Sequence, residues 1–410
     1  MWHRREGKRE GVDRGMSTYE YYKKIFAEIP RPFALVDLDM LDDNVRAIAQ
    51  AAGGKKVRLA SKSIRSVDVL HRILNSDSMF QGIMCYTAAE AVFLSGQGFD
   101  DLLLGYPQWQ PAAIRSIVDL VSEGRSITFM VDSVEHVEHI EQFAKQQRTV
   151  TPLCIDLDMS VHYPGLHFGV WRSPVDSWES MYPIVERIIR SPWLRLDGIM
   201  GYEAQVAGVG DHAAGKYVKN TMVRWLKSRS IVEVAKRRQE VVERLNAMGI
   251  RLRFVNAGGT GSLDSSRKEA WVTEITAGSG FYAPGLFDHY ASFRYKPAAA
   301  YAIEVVRIPK AGIVTCMGGG YTASGTADKD KLAKPYLPEG LELFSLEGAG
   351  EVQTPLRLPA HVKLGLGDPV FFRHAKAGEL CERFKLLYAV SQGRIVGEYA
   401  TYRGMGECFL

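Results

Sequence analysis

The sequence predicts an α/β protein, a closed (β/α)8 barrel followed by a C-terminal β-domain. Three observations predict it. Eight short apolar or β-branched runs alternate with longer amphipathic stretches between Val57 and Ala277. The first run leads into Lys62-Ser63-Ile64-Arg65, not the GxGxxG turn that opens a nucleotide-binding open sheet. Past about Tyr290 the character changes to strands and turns.

The eight runs are Val57–Ser61, Gly82–Tyr86, Leu102–Gly105, Thr128–Val131, Leu153–Leu157, Leu196–Gly201, Arg253–Asn256 and Thr273–Ala277. Eight parallel strands close a barrel over roughly 200–250 residues. Between the runs, Ala88–Gln97, Ala112–Ser122, Val134–Lys145 and Ile184–Arg190 carry apolar residues at helical spacing. Ahead of them, Phe33–Asp39 reads as a strand and Met40–Ala52 as a helix. Behind them, Ala302–Ile308, Ile313–Cys316, Val370–Arg373 and a hairpin across Leu386–Tyr402 around Gly393 read as the β-domain. The expected division is 1–30 as an N-terminal extension, 31–290 as the barrel with its leading strand, and 291–410 as the β-domain, whose sheet the leading strand is also free to join.

Composition excludes several function classes. The chain has 410 residues, with 51 Lys and Arg against 47 Asp and Glu, a net charge of +4 too small to argue for nucleic acid or a membrane surface. The basic run Lys236-Arg237-Arg238 sits among acids in a long helical stretch and reads as a solvated face. Five scattered cysteines without CxxC spacing fit a reducing, cytoplasmic setting. The first fifteen residues are polar and read as a loose tail without function, Met16 opening a plausible chain by itself. No stretch has a signal-peptide core or the length to span a bilayer.

A barrel of this kind carries its chemistry at the C-terminal ends of its strands. That rule selects Lys62, Cys85, Tyr86, Tyr106, Asp132, Asp156, Asp158, His162, His167, Tyr202 and Glu203, then the turns Gly258-Gly259-Thr260-Gly261-Ser262 and Gly278-Ser279-Gly280. Glycine turns expose backbone N–H groups and let an anion approach without interference from Cβ. Paired after the seventh and eighth strands, with the hydroxyls of Thr260, Ser262 and Ser279, they predict a phosphate cup. Lys62 is expected opposite that cup, between apolar walls that disfavour its ammonium and make the amine nucleophilic toward aldehydes. A phosphorylated aldehyde satisfies both features. Tyr86, Tyr106 and Tyr282 read equally as packing or as cofactor contacts, Asp156 and Asp158 as groups that hold their neighbours in place, and His136, His139 and His361 as surface residues.

From Arg31 to the C-terminus the chain resembles the fold-type III pyridoxal 5'-phosphate (PLP) enzymes of the D-threonine aldolase and D-serine dehydratase group, related to the alanine racemase barrel. The segments that carry the resemblance are Arg31–Asp39, the lysine motif Val57–Ser63, the tyrosine strand Gly198–Glu203, and the two glycine loops Gly258–Ser262 and Glu274–Ser279. The resemblance implies a lyase acting on D-configured 3-hydroxy amino acids, by dehydration and deamination or by retro-aldol cleavage. It implies a Lys62 Schiff base with PLP, cofactor contacts from Tyr202, Gly259, Thr260, Gly261, Gly278, Ser279 and His167, and a homodimer.

Relatives also carry a His-x-Cys or His-x-Asp pair that binds a divalent metal. Here His374 matches, but Lys376 stands two residues on, leaving Cys381 or Glu379 as second ligand. His374 with Cys381 would suit zinc, and a carboxylate partner would admit manganese or magnesium. Without a metal, His374 is left as acid or base. His167 is a second departure, standing where relatives tend to have arginine. Two other functions compete: a PLP-dependent amino-acid racemase, which requires acid–base groups on both cofactor faces, and a non-catalytic PLP-binding regulator.

Overall fold

The computed structural model describes residues 16–326, 329–376 and 378–410; the expected loose tail at 1–15 lies outside them. In chain order the strands are β1 (Phe33–Asp37), β2 (Lys56–Ala60), β3 (Phe80–Cys85), β4 (Leu102–Leu104), β5 (Ile127–Val131), β6 (Thr151–Asp156), β7 (Val161–Tyr163), β8 (Leu166–Phe168), β9 (Leu194–Gly201), β10 (Phe254–Ala257) and β11 (Glu274–Ala277). After them come β12 (Ala299–Lys310), β13 (Ile313–Met317), β14 (Lys334–Leu337), β15 (Glu342–Leu343), β16 (Gln353–Arg357), β17 (Pro369–Arg373), β18 (Leu386–Ser391) and β19 (Arg394–Ala400).

The chain divides into two compact units. One comprises Asn44–Phe281, Phe287–Tyr295 and Glu407–Leu410; the other comprises the described residues through Asp43, Tyr282–Leu286 and Lys296–Gly406.

The first unit is the predicted barrel, with β2, β3, β4, β5, β6, β9, β10 and β11 closing in that order and β11 pairing back onto β2. Each of the eight expected runs contributes one strand. Leu103, Met130, Cys154, Met200 and Phe254, one from each of five strands, form a buried cluster with Met84 and Tyr202 packed against it. Such a filled layer makes a barrel a packed core, not a pore. Gly198 makes room for it, since a Cβ there would lie 2.4 Å from the Phe254 ring.

The strand-start end is tied by charge. Fully buried Arg58 binds Glu274 at 2.7 and 3.0 Å and the Asp101 carbonyl at 2.6 Å; Asp101 in turn meets Arg253 at 2.8 Å, and Arg253 meets Asp197 at 2.6 Å. Removing one partner from a buried pair strands the other, at about 3–5 kcal/mol.

The connections are longer than the sequence pattern suggests. The helix expected over Ile184–Arg190 starts earlier, at Trp178, because Ser177 and Ser180 cap it reciprocally, and Pro183 is accommodated inside it. The basic run lies within a 31-residue helix, Tyr217–Ala247, but it is not wholly a solvated face: Lys236 is exposed, whereas Arg238 is buried and paired with Glu203 and Glu269. Strands β7 and β8 form a small antiparallel hairpin after β6 that the sequence reading does not contain.

In the second unit, a nine-stranded mixed sheet runs β15-β16-β13-β12-β1-β18-β19, with β17 joining β12 and β14 joining β17. The leading strand belongs here. All five residues of β1 are buried, so both its edges need partners; β12 supplies an antiparallel one and β18 a parallel one. The hairpin around Gly393 is present, its two turn residues Gln392 and Gly393 both taking positive φ, at 49° and 80°. The helix Thr18–Ile25, capped by Ser17, falls within the span read as an extension. No helix among the described residues is long and apolar enough to cross a membrane.

Candidate active site

At the end of β2, Ser61–Ser63 form one 3-10 turn. Ser61 and Ser63 are buried, and the Ser61 hydroxyl donates to the Met84 carbonyl at 2.9 Å. The alternation turns Lys62 outward to an exposed position, and Arg65 donates to its carbonyl at 2.9 Å. The expected apolar walls are therefore corrected: the Lys62 Nζ lies 3.3 Å from the Tyr106 hydroxyl, a polar partner. Lys62 is also not across the mouth from the glycine loops. Closure of the barrel makes β2 the immediate neighbour of β11.

Tyr106 follows β4 and is flanked by a second cation. The Arg172 guanidinium sits 4.8 Å from its ring centroid and donates to the Gly105 carbonyl at 2.5 Å. Burial alone would push the Tyr106 phenol up, but Lys62 and Arg172 beside its oxygen outweigh that and hold it below the usual phenol range.

Arg172 is aimed by Asp156, the last residue of β6, which accepts from its Nε at 2.6 Å. Asp156 is 1% exposed, and its second oxygen, Oδ1, is buried without a hydrogen-bond partner among the described residues. Burial pushes its carboxyl up to about 6; Arg172 opposes that, and Asp132 and Asp158 add to it. Asp158 has the expected holding role, accepting from the Ser160 backbone N–H at 3.2 Å and from its hydroxyl.

The two glycine loops meet at Thr260, whose Oγ1 accepts from Gly278 N at 3.4 Å and Gly280 N at 3.2 Å. Ser279 Oγ lies 3.1 Å from Ser63 Oγ, so the residue after Lys62 touches the second loop. The glycines are sterically required. A Cβ at Gly261 would lie 2.2 Å from the Ala207 carbonyl, and one at Gly278 would lie 2.8 Å from Ala60 and 2.9 Å from Ser63. Tyr202 closes one side, its ring 3.0 Å from where a Gly259 Cβ would stand; burial, with Glu203 and Tyr106 nearby, pushes its phenol up to about 12. Buried Glu203 anchors the first loop by accepting from Gly258 N and Arg238, each at 3.2 Å, and from the Ser266 hydroxyl.

His167 has other company. It lies on β8, its Nδ1 3.4 Å from His162 Nδ1 and its ring stacked on Trp171 at 3.9 Å. The arginine beside Lys62 and Tyr106 is Arg172, five residues further on, which the sequence reading did not single out. A usable signal was present, because Arg172 follows the strand that ends in Asp156.

In the second unit, His374 and Cys381 are fully buried. Tyr282 joins them, its ring 6.3 Å from that of His374 and its hydroxyl hydrogen-bonded to Cys381. Lys376 donates to the Ser324 carbonyl at 3.2 Å. Among the described residues no group of three or more His, Cys, Asp or Glu side chains is arranged to hold a metal ion.

Residues 36–284 match the alanine racemase N-terminal domain family. The chain belongs to that family. Among curated relatives, the 3-hydroxy-D-aspartate aldolase of Paracoccus denitrificans (strain Pd 1222) is 25% identical over 255 residues, 62% of this chain and 60% of that protein. The D-threo-3-hydroxyaspartate dehydratase of Delftia sp. (strain HT23) is 23% identical over 251 residues, 60% of each chain. The matches thus span about 60% of the relatives' own length. A solved D-threonine aldolase from Filomicrobium marinum superposes with a TM-score of 0.77 at 14% identity, covering 92% of this chain and 96% of that one, which shows the shared fold. An alanine racemase of Clostridium difficile 630 gives 0.59 at 14% identity over 90% of this chain. Within the family, this chain carries the barrel and a mostly β second unit.

Proposed function

We propose that this protein is a PLP-dependent lyase acting on D-configured 3-hydroxy amino acids, with Lys62 as the residue that holds the cofactor. One observation carries the reading: an accessible amine at a barrel-strand end adjoins, through the Ser63–Ser279 contact, a cradle in which alanine would collide with its surroundings. A phosphate would be held there by the Thr260 and Ser279 hydroxyls and the backbone N–H groups of turns that only glycine can make so tightly packed. When bound, PLP supplies an aldehyde for the lysine and a conjugated ring that delocalises charge left at the substrate Cα.

The chain's own residues supply the rest. Lys62 is positioned to move the Cα proton, Tyr106 to exchange protons with Lys62, and Asp156 to fix the guanidinium of Arg172 beside them. The relatives' names supply the substrate class, since both curated enzymes act on 3-hydroxy-D-aspartates. No step is assigned to a metal.

A racemase would need a second acid–base group facing Lys62 from across the substrate. Tyr106 lies on the amine itself, which favours the lyase. The deciding experiment incubates purified protein with D-serine, D-threonine and D-3-hydroxyaspartate and scores keto acid, aldehyde and ammonia separately. Keto acid with ammonia identifies a dehydratase, and aldehyde with glycine an aldolase. Exchange of the α-proton without either product would replace the lyase by the racemase, and a bound cofactor indifferent to every amino acid would replace it by the regulator.

A further inference from the structure

We propose that Tyr106 is a catalytic residue, the proton acceptor that converts the Lys62 ammonium into a nucleophilic amine and later returns the proton. The proposal deepens the reading above and rests on Lys62 being the amine that reacts.

The geometry carries it. Tyr106 Oη and Lys62 Nζ are 3.3 Å apart, close enough for a hydrogen bond and for transfer of one proton. Arg172 approaches the same phenol, its guanidinium 4.8 Å from the ring centroid. That guanidinium is not free to drift, since Asp156 holds its Nε at 2.6 Å and the Gly105 carbonyl holds its Nη2 at 2.5 Å. A phenol between two cations is stabilised as phenolate, and the direction of its ionisation agrees. Once the pair has lost one proton, two arrangements share the remaining one: ammonium with phenolate, or amine with phenol. The second exposes a lone pair on Nζ.

The step balances without an outside reagent. The proton leaves Nζ for the Tyr106 oxygen; Nζ adds to the aldehyde carbon, and the carbonyl π pair moves to oxygen. The phenol returns its proton to that oxygen, and a second proton passes to it from Nζ. The C–O bond then breaks to release water as the nitrogen lone pair forms C=N, leaving a protonated imine beside the Tyr106 phenolate. Nothing is oxidised or reduced.

Tyr106 is 39% exposed, so Tyr106→Phe removes the hydroxyl while keeping the ring that Arg172 covers. The test uses trinitrobenzenesulfonate, which labels only unprotonated amines, on the cofactor-stripped full chain, with Lys62 labelling followed against pH by peptide mass spectrometry. We expect Tyr106→Phe to move the rise of Lys62 labelling to lower pH, because the phenolate that pairs with the ammonium is gone and Arg172 remains. In parallel, the variant should take up added PLP more slowly, on the order of tenfold, at unchanged equilibrium affinity, because the proton acceptor is lost while the glycine cradle is untouched.

A residue that merely supports the loop would lower affinity or thermal midpoint and leave the labelling profile alone. Identical labelling profiles for wild type and variant would overturn the proposal. Failure of the wild type to bind PLP, with labelling still dependent on Tyr106, would instead overturn the cofactor reading and leave the proton transfer standing.

Discussion

Asp156 sets the electrostatics around Lys62 through two intermediaries, Arg172 and Tyr106. Its carboxyl rises from an ordinary 3.8 to about 6 in the fold. Between those values the folded protein keeps a proton that the unfolded chain has lost. Stability therefore falls as pH rises from about 4 to about 6 and levels off above, by at most about 3 kcal/mol. Asp156→Asn should flatten that fall, read as the difference in urea midpoint between pH 4.5 and pH 7; an unchanged pH dependence would contradict the assignment. The same variant keeps an acceptor for the Arg172 Nε, so Arg172 should stay in place.

At this scale the sequence revealed residue types better than partners. Lys62, Tyr202 and the cradle glycines were legible because strand-end position and glycine chemistry are local properties. Arg172 was not, because its place depends on how the loop after β6 folds back over Gly105, 67 residues earlier.

The two glycine loops and the buried His374 region make contrasting predictions at the scale of elements. Gly261→Ala pushes a methyl against the Ala207 carbonyl, so the first loop must shift. PLP affinity should fall by roughly ten- to a hundredfold, about 1.4–2.7 kcal/mol, measured by titration of the cofactor absorbance. Unaltered affinity would place the phosphate elsewhere. Around His374 no three His, Cys, Asp or Glu donors gather among the described residues, and Cys381 bonds the Tyr282 hydroxyl. Prolonged chelator treatment should leave lyase turnover and thermal midpoint unchanged, and a loss restored by zinc or manganese would contradict this.

The elements themselves were largely readable from periodicity. All eight barrel strands and the hairpin at Gly393 were in the pattern, since alternation and turn residues act locally. The hairpin β7–β8 and strands β14, β15 and β16 were not: β7, β8 and β15 are only two or three residues long, and β14 and β16 each contain a proline that breaks the alternating signal.

Over the whole molecule, the buried ion network and the proposed chemistry occupy opposite ends of the barrel. The strand starts hold the Arg58–Glu274–Asp101–Arg253–Asp197 network, and the strand ends hold Lys62, Tyr106, Asp156 and the glycine loops. Glu274→Ala should cost about 3–5 kcal/mol of stability by stranding Arg58.

The leading strand shows what sequence alone leaves open at this scale. β1 precedes the barrel in the chain yet pairs with strands more than two hundred residues later, and no local pattern records such a pairing.

The most direct measurement is borohydride reduction of the PLP-loaded protein, followed by digestion and mass spectrometry of the modified peptide. The account predicts a phosphopyridoxyl group on Lys62, stoichiometric with protein and absent from Lys62→Ala. A stable adduct on another lysine, or none at all, would contradict it.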